Sequence, residues 1–187
     1  MNATFNSSNK TTKYYKTVMK NLNFKTYTFL IFSVLFIHNV SNAQYIKKRA
    51  KTLPELMYYT LDAKLFTNSN LVEDSGLILL YLDPSCEACH KELKQIIDNL
   101  DYLKDVEIVI ISPNPRKELE VFAKQYELAK YSQITLLHDP RDVFYRQFKL
   151  AGYPSLYIYN NKKELISEFN SFVDFSEIMD GFLVASK

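Results

Sequence analysis

One stretch limits what this chain can fold into more than any other. The apolar run Gly76-Leu-Ile-Leu-Leu-Tyr-Leu82 stops at Asp83-Pro84, and the residues that follow, Ser85-Cys86-Glu87-Ala88-Cys89-His90, hold both cysteines of the protein. A short apolar run bounded by a breaker predicts a buried strand, and Leu93, Ile96, Ile97 and Leu100 recur at helical spacing beyond it. The cysteine pair therefore sits on a strand-to-helix corner. A first-turn cysteine there meets unpaired backbone N–H groups and the positive end of the helix dipole, which favour a thiolate and mark Cys86 as the nucleophile. Cys89, one turn further in, is placed to close a disulfide with it.

Two cysteines are too few for a disulfide scaffold, so their C-x-x-C spacing reads as redox, metal or haem chemistry rather than as a staple. With 47% hydrophobic residues among 187, the chain can bury one good core, and one domain is the expectation. The net charge of +2 conceals an asymmetry. Five of the 23 basic residues (Lys10, Lys13, Lys16, Lys20, Lys25) precede Gln44, whereas all 21 acidic residues follow it, which leaves the body with 18 basic against 21 acidic residues. A mildly acidic body without a clustered basic face excludes the usual electrostatic basis of nucleic-acid binding.

Residues 1–18 are polar, without period, and read as an upstream extension. From Met19 a basic leader, Met19-Lys-Asn-Leu-Asn-Phe-Lys25, precedes the apolar run Tyr27–Ile37 and the small-residue ending Ser41-Asn42-Ala43, the layout of a secretory signal peptide over 19–43 cleaved near Ala43-Gln44. The apolar run is shorter than the ~20 residues that span a bilayer, and His38 and Asn39 end it.

In the body, 44–187, Pro54 with Leu56, Tyr59, Leu61, Leu65 and Phe66 predicts an amphipathic helix. Val106–Ile111 is a β-branched strand, ended by Ser112-Pro113-Asn114-Pro115 and followed by a helix over about Arg116 to Ala129. Strand, helix, strand, helix implies parallel pairing. Further on, Ile134–Leu137 is a short strand, His138-Asp139-Pro140 a turn, and Val143–Phe148 a brief helix carrying aromatic residues inward. Gly152-Tyr153-Pro154-Ser155 breaks the chain before Leu156-Tyr-Ile-Tyr159. Asn160-Asn161-Lys162-Lys163 turns it back into Glu164–Phe169, and Val173–Val184 is a closing helix.

From about Leu53 to Lys187 these features together resemble the thioredoxin superfamily, and within it the exported TlpA/ResA-like thiol-disulfide oxidoreductases. The resemblance rests on the strand ending in the C-x-x-C helix, on Cys89-His-Lys-Glu92, on the Asp139-Pro140 turn before a short helix, and on Gly152-Tyr153-Pro154-Ser155. It implies a three-layer α/β/α fold around a central mixed sheet, and disulfide exchange with protein thiols through Cys86 and Cys89. It also implies a cis Pro154 packed at the redox pair, no cofactor, a monomer, and a membrane electron donor as the source of reducing equivalents. There are departures. Ser85 stands where the family usually has Trp, and the chain has no Trp at all; Leu80 stands where thioredoxins proper have a buried acid; and Lys94 replaces a helix-kinking proline. A different proton acceptor is then needed. Glu92 is the candidate if it turns back toward the motif, a solvated helix face being the default for a glutamate.

Two readings from other classes compete. Cys86-Glu-Ala-Cys89-His90 is letter for letter the C-x-x-C-H signature of covalent c-type haem attachment, although its strand-and-helix setting is unlike that of a haem protein; His90 is then expected to be a solvated or capping residue. A zinc or copper site would have to draw on Cys86, Cys89, His90 and His138, and adjacent helical residues such as Cys89 and His90 diverge by about 100°, which suits one small ion poorly. A thioredoxin-like binding module without catalysis is the remaining alternative. The leader generates a direct expectation: N-terminal sequencing of the extracytoplasmic form should begin at or near Gln44. Recovery of an intact Tyr27–Val40 segment in the membrane fraction would instead show an uncleaved anchor.

Overall fold

The computed structural model describes residues 52–185, with side chains through Phe182. These residues belong to one compact unit, Ala50–Lys187. The leader over 19–43, the extension 1–18 and the Ala43-Gln44 cleavage point lie outside the described residues.

The apolar run is strand β3, Gly76–Tyr81, an interior strand of a seven-stranded mixed sheet. Numbered along the chain, the other strands are β1 (Tyr58–Thr60), β2 (Leu65–Phe66), β4 (Val106–Ser112), β5 (Ile134–His138), β6 (Ser155–Tyr159) and β7 (Leu165–Phe169), and the spatial order is β2-β1-β5-β4-β3-β6-β7. Strands β3, β4 and β5 run parallel, from Gly76↔Val106 to Tyr81↔Ile111 and from Ile108↔Ile134 to Ser112↔His138. Strand β6 pairs antiparallel to β3 from Leu77↔Tyr159 to Tyr81↔Ser155, and the β6–β7 hairpin closes one edge. The described helices are α1 (Glu87–Asp98), α2 (Arg116–Gln125), α3 (Val143–Phe148) and α4 (Phe175–Ala185).

Both faces of β3 are covered, which is why its sequence is continuously apolar rather than alternating. Ile78 and Leu80 point with Ile108, Ile110 and Ile158 toward a layer formed by α1, α2 and α4. Leu77, Leu79 and Tyr81 point with Val109 and Ile111 to the opposite face, where Phe144 of α3 joins Leu56, Tyr58 and Phe66. The result is the expected three-layer α/β/α arrangement. Space is tight at the start of β3: a Cβ on Gly76 would come within 3.1 Å of the Phe182 ring of α4 and 3.3 Å of Val106.

Several boundaries differ from expectation. The segment from Leu56 to Phe66 is not a helix but a hairpin, β1 paired with β2 through Tyr58↔Phe66 and Tyr59↔Leu65, with β1 also laid against β5. Leu56 and Tyr58 are both fully buried in one cluster, a period of two, and Ala63 takes the left-handed conformation that makes the turn. Helix α2 stops at Gln125 because Glu127 is left-handed and a 3-10 turn, Leu128–Lys130, follows. Helix α4 starts at Phe175 rather than Val173, whose N–H is taken by a side chain of α1. Lys94, at the position of the missing proline, lies within an uninterrupted α1 and pairs with Asp98 at 2.6 Å.

Phe144 anchors the lower layer. It is fully buried and stacks on Tyr81 (4.7 Å, 4°) and Phe148 (4.1 Å, 18°). Phe144→Ala should therefore cost about 3–5 kcal/mol in denaturant unfolding, whereas Tyr145→Ala, at a neighbouring residue that is 56% exposed, should change stability by less than about 0.5 kcal/mol. Equal losses would contradict the packing described for α3.

Candidate redox site

The corner after β3 is built by a short series of hydrogen bonds. Leu82 N–H donates to Ile111 O at 3.1 Å and so continues the parallel ladder one residue past the strand. Asp83 then turns the chain: its Oδ1 accepts both Ser85 N–H and Ser85 Oγ–H at 2.7 Å, and its carbonyl accepts Cys86 N–H at 3.0 Å. Cys86 is left as the N-cap of α1, with extended dihedrals (φ −86, ψ 117), and its Sγ accepts the N–H of Cys89 at 3.2 Å. A sulfur thus occupies the place where a Ser or Asp oxygen would satisfy an orphan helix donor.

The two thiols, both free, differ in access. Cys86 is partly exposed, whereas Cys89 is fully buried on the apolar stripe of α1. Burial pushes the Cys89 thiol far above its ordinary range, its hydrogen bond with Cys86 pushes it further, and the Asp83 backbone works in the opposite direction. Cys89 therefore keeps its proton until a base removes it.

Pro154 arrives from the other side. The β3–β6 ladder ends at Tyr81↔Ser155, and Pro154 precedes Ser155 by one residue, at the end of the sheet where the chain leaves β3 for the cysteine motif. Pro154 is buried, and the Tyr153–Pro154 peptide bond is cis. Tyr153 main-chain groups have no partner among the described residues. The sheet register thus brings Cys86, Cys89 and Pro154 to one end of the fold.

Two residues of α1 depart from their expected solvent exposure. Glu92 is completely buried, and its carboxylate accepts Val173 N–H at 3.1 Å and Gln95 Nε2–H at 2.9 Å. Burial raises its pKa from 4.5 to about 7, and these two donors only partly oppose the rise. The signal was present in the spacing: Cys89, Glu92, Leu93 and Ile96 fall at i, i+3, i+4 and i+7, the buried stripe of the helix. His90 is half-buried. Its Nε2 donates to the Pro84 carbonyl at 2.8 Å, its Nδ1 pairs with the Tyr126 hydroxyl, and its ring packs on Phe122 and Tyr126. With both nitrogens engaged, His90 is a latch between the Pro84 carbonyl and Tyr126, just beyond α2. Among the described residues, no three His, Cys, Asp or Glu side chains are gathered as a metal site.

Beside the corner, Pro84 and Ser85 face Lys117, Glu118, Val121, Phe122 and Gln125 of α2 across a groove of about 440 Å³. The site as a whole offers one accessible sulfur on a helix cap, one buried thiol behind it, a buried carboxyl one turn along, and an open backbone segment opposite.

Comparison with known proteins agrees with this fold. No curated protein matches the sequence. Among solved structures, the fold is similar to a secreted Mycobacterium tuberculosis disulfide oxidoreductase homologous to E. coli DsbE (17% identity, 69% of this chain and 95% of that one, TM-score 0.58). It is also similar to a thiol-disulfide oxidoreductase from Bacteroides fragilis (13%, 72% and 99%, TM-score 0.57) and to a thiol peroxidase from Chromobacterium violaceum (13%, 75% and 88%, TM-score 0.62). At these identities the likeness establishes the thioredoxin-like fold. Residues 49–167, well over half of the sequence, match the AhpC/TSA family, and the chain is a member of that family.

Proposed function

We propose that this protein is an exported thiol-disulfide oxidoreductase that exchanges disulfides with protein thiols through Cys86 and Cys89. The observation that carries the reading is the asymmetry of the pair: an accessible Cys86 sulfur that accepts the Cys89 N–H, with a fully buried Cys89 behind it. AhpC/TSA membership and the oxidoreductases among the structural neighbours support the redox class. Export is supported by the leader over 19–43, and the secreted neighbour is in keeping with it.

As a reductant, the Cys86 thiolate attacks one sulfur of a substrate disulfide, forming a mixed disulfide and releasing the first substrate thiolate. Cys89 then loses its proton and attacks Cys86 Sγ, which forms the Cys86–Cys89 disulfide and releases the second substrate thiolate. Two electrons pass from the cysteine pair to the substrate, and run in reverse the same steps oxidise a dithiol. A membrane electron donor would restore the dithiol, and the protein would act as a monomer. Glu92 is the proposed proton acceptor for Cys89: it follows Cys89 by one turn on the buried stripe, and a carboxyl with a pKa of about 7 exchanges protons near neutrality. The free main chain of Tyr153, before Pro154, would pair with the extended substrate backbone.

Trapping separates the two cysteines. Cys89→Ser should accumulate a mixed disulfide through Cys86, because attack proceeds and resolution cannot; Cys86→Ser should trap far less. Equal trapping by both would remove the assignment of roles.

Glu92 gives a pH signature. Below pH 4.5 the carboxyl is protonated in both folded and unfolded chains. Between 4.5 and about 7 the unfolded chain has lost a proton that the folded chain still holds, so stability falls as pH rises. Relative to Glu92→Gln, the wild type should lose roughly 3 kcal/mol across that window and stay level on either side of it. A constant difference from pH 4 to pH 8 would show that Glu92 is not buried as a neutral acid.

A further inference from the structure

Resting on the thiol-disulfide reading, the geometry points to Tyr153 as a platform for a basic side chain next to the substrate's reactive cysteine, so that the site selects disulfides flanked by Arg or Lys. The first observation is placement. Tyr153 immediately precedes the cis Pro154, and its ring lies against Tyr81, the last residue of β3 before the Leu82-Asp83 turn that leads into Cys86.

The second is the way the ring is held. One face of Tyr153 stacks on Tyr81 (5.2 Å, 16°), and Tyr81 stacks in turn on the buried Phe144 (4.7 Å, 4°). The inner face is therefore fixed, yet Tyr153 is 40% exposed at the mouth of the redox site. A large aromatic surface braced from below and left open above is a binding feature rather than a packing one.

The third is charge. The Tyr81 hydroxyl donates to Asp142 Oδ1 at 3.3 Å, and Asp83 Oδ1 is occupied by Ser85. In both carboxylates Oδ2 has no partner among the described residues. Both also act on the Tyr153 phenol, which burial and then these negative charges hold above its ordinary range, the neighbouring Tyr81 hydroxyl working in the opposite direction. The other charges near Cys86 largely cancel: Glu87 pairs with Lys91 at 2.8 Å, and Lys117 of the α2 groove has Glu118 beside it. An open π face rimmed by two carboxylates attracts a guanidinium or ammonium and repels an acidic neighbour. It also restores, from the β6 side, an aromatic surface at a motif where Ser85 supplies none.

The test uses the purified full-length protein and three sets of short synthetic peptides whose cysteine is flanked on both sides by Arg, Ala or Glu. Reduction of their disulfides gives kcat/KM, and calorimetry with the same peptides carrying Ser for Cys gives binding without chemistry. Arg peptides should exceed Glu peptides about five- to tenfold in both readouts, and the ratio should fall toward one at high salt. Tyr153→Phe should keep the ratio and Tyr153→Leu should collapse it. Asp142→Asn, which retains an acceptor for Tyr81 while removing the charge, should lower it. Arg and Glu peptides reduced or bound equally, an undiminished ratio in Tyr153→Leu, or no binding of the Arg peptide overturns the inference while leaving disulfide exchange intact. An Arg preference in binding with no reduction of any peptide upholds the inference and overturns the oxidoreductase reading instead.

Discussion

The sulfur of Cys86 caps α1 by accepting the N–H of Cys89, and that contact depends on where β3 ends. Strand β3 is buried on both faces and paired on both edges, so its register is fixed by two ladders at once. A slip of one residue would exchange the two apolar faces and carry Cys86 off the cap. The Asp83 turn converts that register into the position of one sulfur. The thiol chemistry is thus specified by the interior of the sheet, with Pro154 delivered to the same end by β6.

Helix α1 is secured by polar contacts on two sides. Glu92 reaches the backbone before α4, and His90 joins the Pro84 carbonyl to Tyr126. Burying a carboxyl is costly unless it is bonded or neutral, and Glu92 is bonded to two donors with its pKa raised toward neutrality. Such a group gives up some stability as pH rises toward neutrality. Among the described residues no buried side-chain nitrogen or oxygen lacks a hydrogen-bond partner.

The central strand, the parallel β3-β4-β5 unit, the β6–β7 hairpin and the cysteine corner were legible because long apolar or β-branched runs with clear breakers leave few alternatives. The N-terminal hairpin was not. Its turn uses Ala63 in the left-handed region instead of a glycine, and Leu56, Tyr59, Leu61 and Leu65 imitate helical spacing. With three glycines in the whole chain, Asp74, Glu127, Asp142, Lys149 and Lys163 also adopt left-handed conformations, so the usual turn markers are missing where the chain turns. In the site, Cys86, Cys89 and Pro154 came from spacing and resemblance. For Glu92 a solvated face was the default because its charge outweighed its place on the buried stripe; His90, expected to be solvated or capping, is half-buried against α2 with its Nε2 on the Pro84 carbonyl.

The central claim is that Cys86 and Cys89 form one reversible two-electron couple. Equilibrating the purified protein across a series of dithiothreitol or glutathione buffers, and mapping its disulfides by mass spectrometry, tests this directly. The account predicts a single intramolecular Cys86–Cys89 disulfide that forms and breaks with a Nernst slope of about 30 mV per tenfold change in the buffer couple. Cysteines that stay reduced throughout, or that oxidise only to intermolecular disulfides, would contradict it.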